Sequence, residues 1–231
     1  MDWSAFTDTL LSTQSPWLPD PLLMRWGRRL AWALVLAALA AWMLGRCARR
    51  VRLGVAGAVL AWCLLPGGVS PSFWLGLAFQ APSLTSAALG ALLLWRMTQA
   101  RALTGLDMVS GDAVAPVAWV GIALGGVLLL DAFALLPFSF YSAGFSPAAM
   151  VFTALLVSAP WALGAPRDPL RQVSMLLAGV LLLFATLRLP SGNLWDALID
   201  PWLWLAMLLG GLRWAVRRLS VARRGSAATR A

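Results

Sequence analysis

Acid–base chemistry in this chain has little to draw on: nine carboxylates, every one an aspartate, and a single phenol, Tyr141. Histidine, lysine and glutamate are absent. With them go the imidazole general base, haem ligation, histidine-bound zinc or copper, the Schiff base and the phosphate-loop lysine. Cys47 stands beside an arginine cluster and Cys63 inside an apolar run, without the paired spacing of a metal or redox motif. No metal site and no cofactor is therefore expected.

Among the aspartates, Asp131 has the least ordinary setting, inside the apolar stretch 116–138. A spanning helix there would place it ~10 Å from the outer end, where an unpaired carboxylate costs at least ~2.5 kcal/mol. Arg188, close to the outer end of a later apolar stretch, is the cation that could meet it. Asp131 is then either a proton or cation relay or half of a clamp that fixes helix packing. The clamp asks less, because buried pairs set register more often than they do chemistry.

Asn193, Asp196 and Asp200 make a second polar cluster, with the two aspartates one helical turn apart on a shared face. Carboxylates so spaced can bind a cation or divide acid and base roles in an outward-facing pocket, with Tyr141 as the remaining candidate. The same residues also read as a cap, Asn193, followed by aspartates that complement the helix dipole. Gly121 and Gly125, on the helix that carries Asp131, have the small-residue spacing that lets a neighbouring helix approach closely. Gly54 with Ala58, and Ala33, Ala37 and Ala41, repeat it.

The elements that must position these residues are membrane helices. Hydrophobic residues form 61% of the 231 and charged ones 12%, with a mean hydropathy of +0.79. Charges collect in short clusters between uncharged runs, the pattern of an all-α polytopic transmembrane bundle. About seven spans are expected, at 30–45, 53–65, 83–97, 116–138, 147–164, 173–189 and 194–214. Residues 71–80 form either an interfacial helix before the third span or the first half of a helix kinked at Pro82. Around this bundle, taken as 30–215, lie an N-terminal tail, 1–29, and a basic tail, 216–231. In the first tail Trp3, Phe6 and Leu10, with Asp2 as cap, suit a short interfacial helix. No arginine precedes Arg25, so no secretory signal is expected and the first run is retained. The stretch 101–115, with Asp107 and Asp112, and the turn 166–169, around Arg167 and Asp168, read as loops.

Orientation follows from arginine. With the N-terminus outside, the loops after the first, third and fifth spans and the C-terminal tail carry 14 of the 18 arginines, leaving Arg25, Arg28, Arg29 and Arg188 outside. A six-span alternative lays 30–45 in the interface and leaves Arg188 alone outside. Both place the C-terminus in the cytoplasm. The net charge of +9 is spread over flanks of apolar runs, which suits anionic lipid headgroups and not nucleic acid. Several of the 14 tryptophans sit near span ends, as in interfacial belts. The bias towards Arg, Ala, Leu, Gly and Trp points to a GC-rich bacterial genome, hence an inner membrane. The expectation is a non-enzymatic subunit or scaffold that meets other membrane proteins in an envelope complex. The rivals are a small transporter or permease component using Asp131, and an intramembrane enzyme using Asp196, Asp200 and Tyr141.

Overall fold

The computed structural model describes residues 7–9, 11–13, 18–99, 115–164 and 168–228. Among these the chain is all-helical, without strands. The helices are α1 (Pro21–Met43), α2 (Arg49–Leu64), α3 (Pro71–Phe79), α4 (Leu84–Thr98), α5 (Ala115–Ala132), α6 (Phe140–Ala143), α7 (Pro147–Ala162), α8 (Asp168–Leu187), α9 (Leu194–Leu198) and α10 (Pro201–Ala228). A 3-10 turn, Gly67–Val69, links α2 to α3.

Four of the helices begin at a Ser-Pro or Asp-Pro junction: Asp20-Pro21, Ser70-Pro71, Ser146-Pro147 and Asp200-Pro201. Proline suits the first helical position because no N–H is needed there and its φ is already helical. It also drives the preceding residue into extended backbone, the conformation of an N-cap. Asp20 accepts from Leu22 N at 2.8 Å and Leu23 N at 3.1 Å, and Ser146 Oγ accepts from Ala149 N at 3.3 Å. Ser70 instead turns its hydroxyl to Cys63 O at 2.7 Å, where Ser72 Oγ also donates at 2.7 Å.

Helix α1 lies at the centre of one half of the bundle, packed by α2, α3 and α4. Its buried face is almost all alanine, Ala31, Ala33, Ala37, Ala38 and Ala41, with Trp32 donating Nε1–H to Gln80 O at 2.8 Å. Small residues let backbones meet here. A Cβ on Gly90 of α4 would stand 2.9 Å from Leu34 O. The other half is built on Phe184, Leu181, Leu194 and Trp195, where α7, α8 and α9 converge. Helices α5 and α10 form a pair, with Trp204 Nε1 donating to Ile122 O at 3.0 Å and Trp119 edge-on to Trp214.

Hydrogen bonds collect at two opposite ends of this arrangement. At one, Arg49 donates to Met97 O at 2.8 Å and to Thr98 O, Arg52 to Ala41 O at 3.1 Å, and Arg96 to Gln172 Oε1 at 3.0 Å. Those bonds join the C-terminal ends of α1 and α4 to the N-terminal ends of α2 and α8. The other end holds Asp131, Asp196 and Asp200.

Two helices, α5 over Ala115–Ala132 and α8 over Pro169–Leu187, are long and apolar enough to cross a membrane, against the seven spans expected from sequence. Only 6% of the first window and 22% of the second is buried, unlike the core helix of a water-soluble domain, and neither is N-terminal. Elsewhere α2, α4 and α7 stop at 16, 15 and 16 residues, shorter than the ~20 that span ~30 Å of hydrocarbon. Arginines occupy the first half of α1 and the second half of α10.

Several boundaries differ from the sequence reading. Residues 71–98 form two helices, α3 and α4, because Gln80 takes φ +60° and ends the first. Helix α5 stops at Ala132, six residues short of 138, where Ala134 at φ +53° turns the chain out of the helix before Pro137. The seventh stretch is broken at Ile199, and α10 continues to Ala228 through the boundary placed at 216. The interfacial helix of Trp3, Phe6 and Leu10, the loop with Asp107 and Asp112, and Arg167 lie outside the described residues.

Close backbone approach at Gly90 has a measurable consequence. Gly90→Val is expected to cost about 1–3 kcal/mol through overpacking against α1, read as a lowered thermal midpoint in detergent. Gly54→Val, where an added Cβ meets nothing within 4 Å, should change the midpoint little.

Candidate functional site

The buried carboxylate at the start of α10 joins two helices. Asp200 is 8% exposed, and its Oδ1 accepts from Trp202 N at 3.0 Å and Leu203 N at 2.9 Å, capping α10. Its Oδ2 accepts from Ser83 N at 2.9 Å, Ser83 Oγ at 2.7 Å and Ser86 Oγ at 2.5 Å, at the N-terminus of α4. Ser83 Oγ in turn caps Ser86 N at 3.1 Å. Five donors and two helix N-termini therefore surround one anionic group, which places negative charge where two positive dipole ends meet. Thr85 Oγ1 adds a bond to Ala197 O at 3.3 Å.

A second polar node centres on Tyr141 in α6. Its N–H donates to Asp131 Oδ2 at 2.6 Å, its hydroxyl to Asp196 Oδ2 at 2.7 Å, and its carbonyl accepts from Asn193 Nδ2 at 2.8 Å. Ser139 Oγ reaches Asp131 Oδ2 at 3.4 Å, and Ser191 Oγ donates to Asp196 Oδ2. Asn193 is fully buried and caps α9 through Trp195 N at 2.9 Å. Trp195 stacks on Phe140 with centroids 5.1 Å apart and donates Nε1–H to Phe140 O at 3.1 Å. Gly144 is required at this junction: a Cβ there would fall 2.0 Å from Asn193 Oδ1. Burial first, then the hydrogen bond to Asp196 and its charge, hold the Tyr141 phenol well above its ordinary value of 10.

Several of the sequence-derived candidates are placed differently from their expected settings. Asp131 is one residue from the end of α5, not two turns inside it, because the helix stops at Ala132. Arg188 follows α8, at φ +54°, with its guanidinium over the Phe184 ring at 5.2 Å from the centroid. Asp196 and Asp200 do not share a helical face: Ile199 is extended and Pro201 forbids a helical Asp200, so each carboxylate serves a different partner set. Asn193 lies with Asp196 in the Tyr141 node. Gly121 and Gly125 face α10, where added Cβ atoms would meet Met207 at 2.8 Å and Trp204 at 2.2 Å.

Sequence reasoning missed Ser83, Ser86, Ser139 and Ser191. The Asp-Pro junction at 200–201 was the signal for a capping carboxylate, but nothing local names Ser83, 117 residues away. The chain matches no family model, no curated protein and no solved structure.

Chemically, the hydrogen bonds of both nodes run between helix ends. Among the described residues no group of three Cys or Asp side chains could hold a metal ion. The cleft between α5 and α10, lined by Ala118, Trp119, Ile122, Gly210, Gly211 and Trp214, offers water-accessible room of about 10 Å³, enough for a single water.

Asp200→Ala would strip the donors of Ser83 and Ser86 of their acceptor and uncap α10. A loss of about 3 kcal/mol is expected, from ~1–3 kcal/mol for orphaned buried donors plus ~1 kcal/mol for a cap, read by thermal unfolding in detergent. Tyr141 gives a separate test, because it is the sole tyrosine. A phenol raised in the folded state adds stability that is full below its unfolded value of 10 and is lost as pH rises through the folded value. Phenolate absorbance should thus appear above pH 10 in the folded chain and near 10 after unfolding, and Asp196→Asn should move the folded value downward.

Proposed function

We propose that the chain is a multi-pass protein of a bacterial inner membrane, serving as a non-enzymatic subunit or scaffold of an envelope complex. Seven helices cross, α1, α2, α4, α5, α7, α8 and α10, with the N-terminus outside and the C-terminus in the cytoplasm. The observation that carries the reading is the distribution of exposure. Leu129, Leu130, Leu182, Leu183, Val151, Phe152 and Leu155 all stand open on helix surfaces, while charged and hydrogen-bonding groups gather at the two ends. Such a surface is solvated by hydrocarbon and not by water.

The arginine end, with Arg46, Arg49, Arg50, Arg52, Arg96 and Arg171, faces the cytoplasm and its anionic headgroups on this reading. Arg49 and Arg52 reach past their helix to neighbouring carbonyls, which lets the short α2 sit in a thinned or snorkelled boundary. Packing of α1 by three helices supports its crossing the bilayer rather than lying in the interface. A scaffold role is supported by the use of Asp131, Asp196 and Asp200 as joints between helices. The permease reading needs Asp131 in a conduction path, and its place at the end of α5, bonded to Tyr141 N, supports a structural use instead.

Recovered in mild detergent from cells at native expression, the chain is expected to bring down an envelope protein in fixed proportion. Recovery as a lone monomer would contradict the scaffold role. Asp131→Asn should lower the thermal midpoint; abolished transport with unchanged folding would establish the permease instead.

A further inference from the structure

The segment between α5 and α6 exposes apolar side chains where a chain facing water would carry polar ones. Helix α5 ends at Ala132, and Ala134, at φ +53°, turns the backbone. Ala134 N returns to Asp131 O at 2.8 Å and Leu135 N to Leu130 O at 2.9 Å. Phe133, Leu135 and Phe138 then stand 69%, 67% and 62% exposed within six residues. No charged residue occurs from 132 to 166.

We propose that residues 133–138 form a shallow wedge that inserts Phe133, Leu135 and Phe138 into the outer leaflet of the bilayer. The inference rests on the orientation given above and goes beyond it, since this segment is no part of a spanning helix. Three observations favour lipid as the occupant. Leu129 and Leu130, exposed on the last turn of α5, lie three to four residues before Phe133. The same end of the bundle carries an exposed aromatic set, Trp74 and the edge-on pair Phe79 and Trp202, as an interfacial belt requires. The backbone is also suited to partial immersion, because two N–H groups turn back onto α5 and Pro137 has none, which limits the donors left without partners. Asp131, bonded to Tyr141 N, then lies at headgroup level beside the wedge.

Site-directed spin labelling tests this in the full chain. In a Cys47→Ser, Cys63→Ala background, labels are introduced one at a time by Leu135→Cys, Phe138→Cys, Leu129→Cys and Arg46→Cys. All four positions are exposed. The protein is reconstituted in phosphatidylethanolamine–phosphatidylglycerol vesicles, and collision with oxygen is compared with collision with a water-soluble nickel complex. Labels at 135 and 138 are expected to resemble Leu129, with nickel access several-fold below that at Arg46. Water-like access at 135 and 138 with a lipid-like Leu129 would overturn the wedge alone. Water-like access at Leu129 as well would overturn the membrane reading beneath it. Low access to both reagents at 135 and 138 would show protein cover and also overturn the wedge.

Discussion

Charge is excluded from five long stretches of the chain, and much of the helix packing follows from that constraint. No charged residue occurs between Arg29 and Arg46, Arg52 and Arg96, Asp131 and Arg167, Arg171 and Arg188, or Asp200 and Arg213. Backbone groups in the uncharged lengths must therefore bond within their own helices, and polar side chains are left to settle the helix ends. Arginine carries out this task at one end, donating to the open carbonyls of α1 and α4. Aspartate does it at the other, accepting from the open N–H groups of α10 and α6 and from the serines that begin α4.

That division gives the carboxylates their partners at helix ends. Asp200 accepts from five donors at two helix ends, and Asp196 accepts from a tyrosine and a serine. The same division sets the close packing between helices. With charge absent from the middle of the bundle, contact there depends on small residues, and Gly90, Gly121 and Gly125 sit where a side chain would strike the neighbouring helix.

Much of the fold was legible because proline and arginine mark helix ends strongly. Pro147 and the Arg49 cluster set the starts of α7 and α2 close to where they lie. What escaped was decided by backbone torsion and by distant partners. An apolar run such as 116–138 gives no local sign that Ala134 leaves the helix, and the hydropathy of 194–214 hides a break that the Asp200-Pro201 pair announces. The spacing of Gly121 and Gly125 was visible, whereas their neighbours Met207 and Trp204 belong to a helix about 80 residues further along the chain, and periodicity carries no information about which helix that is. The candidate site suffered most, since the partners of Asp200 and Tyr141 are joined across the chain and not along it.

Sidedness tests the account most directly. Cys47, exposed in the turn between α1 and α2, should react with a membrane-impermeant maleimide only in inverted membrane vesicles, and a cysteine introduced by Ser191→Cys with Cys47→Ser only in intact spheroplasts. Labelling of both positions from the same side, or recovery of the chain as a folded monomer in buffer without detergent, would contradict the placement of the arginine and aspartate ends on opposite faces of a bilayer.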